Sequence, residues 1–407
     1  MAIGIGGSTP ERELAGLADM TASAAKIGRD EYCDRIQRAQ RAMVRQGVDA
    51  VFLYAGANLE YFTGVSWRPS ERTVGAVLMP DGPPRYVAPW FELETFREFA
   101  VVDGDVHTWH EHESPFTLVD GLLRDGAGAR RVVGIDEAAP FFVFDGLREA
   151  GGDHRYVSAA AITAPCRRLK SPAEIALLQC AKSLTLEVHK AAARCLRPGM
   201  STVEVAEFID RAHRAAGATG GSAFCIVLFG SATAFPHGVK RAQILQPQDW
   251  VLIDTGCRVH GYHSDITRTY PFGSPSARQR DAWMVEQEAQ QAAFDAAVPG
   301  ARCEDADTAA RRVLERHGFG PDYRLPGLPH RTGHGCGLEI HESPYLVRGD
   351  RTVLEAGMVF SNEPMLVLPG EFGVRLEDHV LVTEDGPRWF TAPSPSIDDP
   401  FGYEAAG

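Results

Sequence analysis

The chain of 407 residues contains no apolar run long enough to span a membrane. A spanning helix needs about 18 or more consecutive apolar residues, so the sequence predicts a protein without a transmembrane segment. The N-terminus also lacks the basic start and apolar stretch of a secretory signal. We therefore expect a cytoplasmic protein with no membrane partner.

Positive charge is scarce as well: 41 Lys and Arg residues against 54 Asp and Glu residues give a formal net charge of -13. Such a balance disfavours a broad nucleic-acid-binding surface. The eight cysteines form no CxxC pair, which is typical of free thiols in a reducing compartment rather than of a disulfide framework. Because no serine or cysteine lies in a nucleophile-elbow motif, covalent catalysis is not expected.

The pattern of helices and strands predicts two domains. Residues 31–47 have the spacing of an amphipathic helix, and the apolar run 48–55 predicts a buried strand. With the strand patterns that follow, residues 1–165 are expected to form an α/β domain. A capping box at Ser171, Pro172 and Glu174 begins a new helix. Residues 166–407 are expected to form an α+β domain, with helices flanking a largely antiparallel sheet.

Two aspartates in an apolar, β-prone segment are the first sign of chemistry. Asp254 and Asp265 are eleven residues apart, and an odd separation would place them on opposite faces of one continuous strand. Gly256 and Gly261 lie between them, and a turn or bulge there would direct both carboxylates into one pocket. Two facing carboxylates repel each other without a cation, so the arrangement indicates a divalent metal.

Further ligand types follow in the same domain. A glycine-rich segment contains three histidines, and two glutamates stand among apolar residues; they are His330, His334, His341, Glu363 and Glu377. Two aspartates, one histidine and two glutamates form an oxygen-rich set that suits Mn²⁺, with Co²⁺ or Zn²⁺ as alternatives. Four carboxylates among five ligands indicate two ions with bridging carboxylates. A lone aspartate in a strand is more often a turn or surface residue, and a lone histidine near glycines is more often structural, so the metal interpretation depends on their combination.

These segments, in this order, resemble the pita-bread metallopeptidases, a family that includes methionine aminopeptidase, Xaa-Pro aminopeptidase, prolidase and the non-peptidase creatinase. The motifs are LIDTGCRVHGYHSDITRTY (252–270), TGHGCGLEIHESP (332–344), SNEPM (361–365) and GVRLEDHVLVTEDG (373–386). The resemblance covers roughly residues 170 to 395, and the preceding domain is similar to the creatinase-type N-terminal domain. A short bacterial Xaa-Pro dipeptidase subgroup also shares patterns at 70–78, 224–238 and 323–337.

The resemblance implies a role for each matching residue. Two divalent ions would be held by Asp254, Asp265, His334, Glu363 and Glu377, with Asp265 and Glu377 bridging them. His237 would contact the substrate near the scissile bond, His341 would stabilise the tetrahedral intermediate, and Glu363 would also act as general base.

Three other residues are assigned by their position beside these motifs. Arg375 and Thr267 are expected to orient metal ligands from outside the ligand set. Arg348 lies close to where prolidases keep an arginine for the free carboxylate of a dipeptide, although a solvated loop arginine is the alternative. His110 and His112 lie in the first domain without further ligands, and we do not assign them a metal site.

The activity implied is hydrolysis of Xaa-Pro bonds by a metal-bridging hydroxide, in small peptides with proline in second position and above all in dipeptides. An Xaa-Pro aminopeptidase for longer peptides is the first alternative, and a small-amide hydrolase of the ectoine-hydrolase type is the second. A degenerate binding module is disfavoured, since all five ligands are present. Homodimers are common in the family, and we expect one here.

Overall fold

The computed structural model describes residues 2–124 and 130–403. The chain divides into two compact units, one of residues 27–167 and the other of residues up to 26 together with those from 168 onward. Among the described helices, none is long and apolar enough to cross a membrane.

The helices are α1 (Pro10–Gly16), α2 (Arg29–Gln46), α3 (Ala57–Thr63), α4 (Leu93–Phe99), α5 (Pro115–Arg124), α6 (Phe141–Ala150), α7 (Ala160–Arg168), α8 (Pro172–Cys195), α9 (Thr202–Ala215), α10 (Ala277–Ala296) and α11 (Cys303–Arg316). The strands of the first unit are β1 (Ala50–Tyr54), β2 (Gly75–Leu78), β3 (Arg85–Pro89), β4 (Asp105–Trp109), β5 (Val132–Ile135) and β6 (Arg155–Ser158). Those of the second unit are β7 (Ser222–Phe229), β8 (Trp250–Val259), β9 (Tyr262–His263), β10 (Ile266–Pro271), β11 (Gly333–Gly335), β12 (Glu342–Leu346), β13 (Val359–Asn362), β14 (Met365–Leu368), β15 (Phe372–Arg375), β16 (Asp378–Thr383) and β17 (Gly386–Trp389).

The unit of residues 27–167 is an α/β domain built on one mixed sheet. The strand order is β4-β3-β2-β1-β5-β6, with β1, β5 and β6 parallel to one another and β2 antiparallel to both its neighbours. Every residue of β1 is buried, as expected for a central strand covered on both faces. Helix α2 ends at Gly47, whose φ of 65° is left-handed and suits glycine. The predicted α/β class of this domain is confirmed.

The second unit has helices around antiparallel strands, as predicted. Its described sheets are β10-β8-β7 with β9 on β8, β12-β11-β13-β16-β17, and the pair β14-β15, and all of their strand pairings are antiparallel. The capping box of Ser171 and Glu174 begins α8. Two buried tryptophans connect neighbouring elements of this unit by hydrogen bonds. The indole N–H of Trp250 in β8 donates to the Gly373 carbonyl in β15, and that of Trp283 in α10 donates to the Thr269 carbonyl in β10, each at 2.9 Å.

The N-terminal segment belongs with the second unit, which differs from the predicted division at residue 165. Glu13 of α1 forms an ion pair with Arg194 of α8 at 2.7 Å, and the Ile3 amide donates to the Asp398 carbonyl. These contacts join residues before 27 to the helices and C-terminal segment of the second unit. The predicted boundary also falls inside α7, which contains Pro165, three residues before the second unit resumes at Arg168.

Candidate metal centre

The antiparallel pair of β8 and β10 carries both predicted aspartates. Asp254 lies in β8 and Asp265 directly precedes β10. Asp254 is opposite Thr267 in the register, and Thr267 is two residues after Asp265. Because directly opposed residues share a face of the sheet, as do alternate residues of one strand, Asp254, Asp265 and Thr267 lie on the same side.

A tight connection reverses the chain between these aspartates. His260 and Gly261 both have positive φ, at 46° and 88°, and β9 pairs back onto β8. A Cβ atom on Gly256 would lie only 1.9 Å from the Ser264 carbonyl oxygen, so glycine is needed for this close approach. The predicted turn between the two aspartates is therefore present. It brings into one pocket two carboxylates that a straight strand would place on opposite faces.

The remaining predicted ligands come from the neighbouring sheet. His334 lies in β11, Glu363 directly follows β13, and Glu377 directly precedes β16. In the β13–β16 ladder, Asn362 is opposite Asp378, so the two glutamates leave the same end of one strand pair. The Glu377 amide also donates to the Thr267 carbonyl at 3.1 Å, which joins this strand end to β10.

The structure brings all five residues into one buried cluster. Three overlapping groups have ligand atoms within 4.8 Å of one another: Asp254, Asp265 and Glu377; His334, Glu363 and Glu377; and Asp265, His334 and His341. The His334 Nε2 atom lies 2.9 Å from Glu363 Oε1 and 3.7 Å from Asp265 Oδ2. Four carboxylates and a histidine thus converge at a place from which water is largely excluded.

Burial and mutual repulsion control the ionisation of this cluster. Burial, together with the neighbouring carboxylates, raises the pKa values of Asp265 and Glu377 well above their ordinary ranges. Burial also raises the pKa of Asp254. At Glu363 burial acts in the same direction, but the adjacent His334 outweighs it and lowers the pKa of that carboxyl. Such a concentration of perturbed carboxyl groups is typical of a functional site.

The hydrogen bonds of the cluster leave selected atoms free for a cation. Asp254 Oδ2 accepts from Arg375 at 2.5 Å, and Glu377 Oε2 accepts from Thr267 at 2.6 Å. The other oxygens, Asp254 Oδ1 and Glu377 Oε1, are buried without a hydrogen-bond partner. Buried polar atoms are rarely left in this state, and divalent cations would satisfy them. The residues present therefore fit a metal centre.

The single histidine of the ligand set is oriented in the way that metal-binding histidines usually are. The Nδ1 atom of His334 lies 3.1 Å from the Gly335 carbonyl oxygen, so a proton on Nδ1 is held by the backbone. The Nε2 atom, which faces the carboxylates, is then the nitrogen that can bind a metal once it has given up its proton. Fixing one nitrogen of the ring in this way decides which nitrogen is available to a metal.

Arg375 and Thr267 lie beside the carboxylates and contact them. The buried guanidinium of Arg375 donates to Asp254, to the Thr267 hydroxyl at 3.0 Å and to the Pro236 carbonyl at 3.2 Å. Thr267 in turn donates to Glu377. One guanidinium and one hydroxyl thus hold two carboxylates in fixed orientations, a contact pattern that tunes ligand geometry in metal sites.

His341 and His237 are the two histidines expected to act on the substrate. The His341 ring packs edge-on against the His334 ring, with centroids 4.2 Å apart. Burial, followed by the neighbouring His334, lowers the pKa of His341 to about 4, which keeps its ring neutral near pH 7. His237 follows the short 3₁₀ helix Gly230–Ala234 and lines a groove of about 920 Å³ beside α9 and β7.

Two other residues singled out by the sequence belong to none of the ligand groups found among the described residues. Arg348 is exposed, where Asp322 forms an ion pair with it and the Tyr323 ring lies 5.9 Å from its guanidinium. The Nδ1 atom of His330 lies 2.6 Å from the Arg331 carbonyl oxygen. None of the three ligand groups found among the described residues contains His330.

Sequence reasoning missed Ser361. Its hydroxyl accepts from the His334 amide and donates to Glu363 Oε1, each at 3.0 Å. It therefore connects the backbone of one predicted ligand to the carboxylate of another. No local pattern signals this role, because the serine and His334 are 27 residues apart in the chain and meet only through strand pairing.

Comparison with family models matches both parts of the chain. Residues 176–384 match metallopeptidase family M24, and residues 35–169 match the creatinase/prolidase N-terminal domain. The putative dipeptidase YkvY of Bacillus subtilis is 34% identical over 357 residues, which is 87% of this chain and 96% of the relative. An Xaa-Pro dipeptidase of Lactobacillus helveticus is 32% identical over 88% of this chain and 96% of its own length.

Solved structures give the same picture of the fold. Dipeptidase PepE from Mycobacterium ulcerans is similar with a TM-score of 0.84 and 34% identity, covering 92% of this chain and 99% of that one. A prolidase from Thermococcus sibiricus is similar with a TM-score of 0.80 and 28% identity, covering 89% and 97%. Since both likenesses extend over nearly the full length of each chain, they include both units.

Proposed function

Because the chain belongs to metallopeptidase family M24 and carries a creatinase/prolidase N-terminal domain, we propose that it is an Xaa-Pro dipeptidase with a two-metal centre. Relatives named Xaa-Pro dipeptidase at 29–32% identity support the choice of substrate. The observation that carries the proposal is the pair of free buried oxygens on Asp254 and Glu377, within a cluster of four carboxylates and a histidine.

The ions would be held by Asp254, Asp265, His334, Glu363 and Glu377. When bound, two divalent ions supply an activated water and a polarised substrate carbonyl. Manganese suits this oxygen-rich set best, and cobalt or zinc would also be accepted. As in many members of the family, the active form is proposed to be a homodimer.

The protein's own groups would then move the protons and orient the peptide. Glu363, whose Oε1 accepts a hydrogen bond from the Ser361 hydroxyl at 3.0 Å, is placed to accept the proton of the attacking water. His341 is neutral near pH 7, since burial lowers its pKa to about 4, and a neutral ring can donate a hydrogen bond to the oxygen on which negative charge develops. His237, at the groove beside α9, would contact the peptide near the scissile bond.

Recognition of a dipeptide requires a partner for its free carboxylate. We propose Arg348 as that partner, because its guanidinium is exposed and its paired N–H donors match the two oxygens of a carboxylate. In the structure Arg348 Nη2 donates to Asp322 Oδ1. A substrate carboxylate would therefore have to compete with Asp322 for the same donors.

The test is hydrolysis of Leu-Pro, Leu-Ala and Leu-Pro-Ala by chelated protein and by protein with added Mn²⁺. We expect manganese-dependent cleavage of Leu-Pro and little or none of the other two. The Asp265→Ala variant should bind no more than one ion and lose the activity. Cleavage of the tripeptide would identify an aminopeptidase instead, and inactivity towards all three with two ions bound would refute the peptidase assignment.

A further inference from the structure

A buried polar layer lies behind the two glutamate ligands. It consists of Arg268, Gln290, Asn362, Asp378 and Thr391, none of which is more than 6% exposed. We call these five residues the rear layer, and none of them belongs to the ligand groups found among the described residues. Burying so many polar side chains is costly unless they are hydrogen-bonded, so their position demands a reason.

Side chains of the rear layer form hydrogen bonds with the Glu377 backbone and with the side chain of the next residue. Arg268 Nη1 donates to the Glu377 carbonyl at 2.8 Å. The same guanidinium binds both carboxylate oxygens of Asp378, the next residue, at 2.8 and 3.1 Å. Thr391 donates to Asp378 Oδ1 at 2.6 Å. Arg268 and Thr267 are neighbours in β10, and they hold Glu377 by its backbone and by its side chain respectively.

Gln290 of α10 connects these hydrogen bonds around Glu377 to the segment that precedes Glu363. Its side-chain amide lies 3.3 Å from the Asn362 carbonyl and 3.4 Å from Asp378 Oδ2. The Asn362 side chain donates back to the Gln290 carbonyl at 2.8 Å. Asn362 precedes Glu363, and Asp378 follows Glu377. One glutamine side chain thus touches the chain beside both ligands, at the strand end from which both emerge.

We propose that Gln290 is a positioning residue for the metal pair: it holds the Asn362 and Asp378 segments together and so fixes the spacing of Glu363 and Glu377. The inference rests on the proposed function only in taking these two glutamates as ligands. Ligand geometry must be kept within a fraction of an ångström for tight metal binding, and groups behind the ligands typically change affinity by roughly 10–100-fold.

The chain offers a matched pair of glutamines on α10 for the test. Gln287 also donates to backbone carbonyls, those of Ser394 at 2.8 Å and Pro395 at 3.1 Å, but these lie away from the glutamate segments in sequence. Gln290→Met and Gln287→Met each remove an amide donor while keeping the length of the side chain. Chelated full-length variants would be titrated with Mn²⁺ by calorimetry, and the bound ions examined by electron paramagnetic resonance.

We expect Q290M to weaken at least one Mn²⁺ site by about 10-fold or more and to reduce the spin-coupled signal of an ion pair, whereas Q287M keeps both properties of the wild type. Wild-type affinity and coupling in Q290M would overturn the proposal, and so would equal losses in the two variants. If Q290M does not fold, Gln290→Asn decides, because the shorter side chain keeps a polar amide but withdraws it from the Asn362 carbonyl and Asp378: weakened Mn²⁺ binding supports the proposal and unchanged binding refutes it. Peptide turnover enters none of these readouts, so a wrong substrate assignment would not be mistaken for a failure of this proposal.

Discussion

Replacing Asp265 with asparagine should leave the metal-free protein at least as stable as the wild type, although it removes a buried polar charge. Asp254, Asp265 and Glu377 have ligand atoms within 4.8 Å of one another. Two unit charges at that distance repel by about 3 kcal/mol at an effective dielectric constant of about 20. Burial and the neighbouring carboxylates raise the pKa of Asp265 well above its ordinary range, and proton uptake relieves part of this repulsion. We therefore expect a gain between zero and about 3 kcal/mol.

Metal should reverse the order of the two proteins. A ligand at 100 times its dissociation constant stabilises the folded state by about 2.7 kcal/mol, which corresponds to roughly 5–10 °C in Tm for a unit of this size. The wild type should gain this stability on addition of Mn²⁺, and D265N should gain little. Thermal unfolding by circular dichroism, at fixed ionic strength with chelator or with Mn²⁺, measures both effects.

Asp378 is the matched control, because it is an equally buried aspartate in an attractive environment. It forms an ion pair with Arg268 at 2.8 Å, and both side chains are at most 1% exposed. Asp378→Asn leaves the Arg268 charge without its partner and should cost about 3–5 kcal/mol in the metal-free protein. If chelated D265N is less stable than the chelated wild type by more than about 2 kcal/mol, then Asp265 holds the fold by hydrogen bonds and the repulsive cluster is the wrong description.

Three further outcomes follow from the structure. Arg348→Ala should raise KM for Leu-Pro by about 10-fold or more but leave the already low kcat/KM for Leu-Pro amide unchanged, which steady-state kinetics on the two substrates would show; equal effects would exclude a carboxylate contact. His341→Gln should lower kcat by about 10²–10³-fold with both ions still bound, and loss of an ion on metal analysis would instead make His341 a ligand. Burial lowers the pKa of His213 to about 4, so the contribution of its neutral ring to the free energy of unfolding should be complete above about pH 6.5 and fall by about 3 kcal/mol as the pH approaches 4; denaturant titrations should show a fall that is smaller by that amount in His213→Asn.

The architecture of both units followed from local patterns. The capping box of Ser171 and Glu174 fixed the start of α8 to the residue, and the helical spacing before Gly47 gave α2 within two residues at each end. These signals are local, because they depend on caps, periodicity and glycine conformations within one element. The division of the chain is less accurate, since the segment before residue 27 joins the second unit through Glu13 and Arg194, a contact with no local signature.

The four carboxylates among the proposed metal ligands were indicated by the residues themselves, whereas the choice of His334 among three histidines came from the family resemblance. Carboxylates among apolar residues, as at Asp254 and Glu377, are conspicuous in a sequence because burial without a partner is unfavourable. Ser361 and Gln290 give no such signal, since serine in a strand and glutamine in a helix are ordinary. Their importance comes from contacts across 27 and 72 residues of chain respectively. Residues that position ligands are thus harder to predict than the ligands themselves.

The charge of the cluster argues for two ions rather than one. Asp254, Asp265, Glu363 and Glu377 carry four negative charges when ionised, and the buried guanidinium of Arg375 supplies one positive charge against Asp254. A single divalent ion would leave one negative charge beside the scissile carbonyl, where the reaction builds up further negative charge on oxygen. A second ion changes the sign, and a net positive charge in a site of low dielectric stabilises that oxygen strongly. The fourth carboxylate is therefore useful to a hydrolase only if a second cation accompanies it.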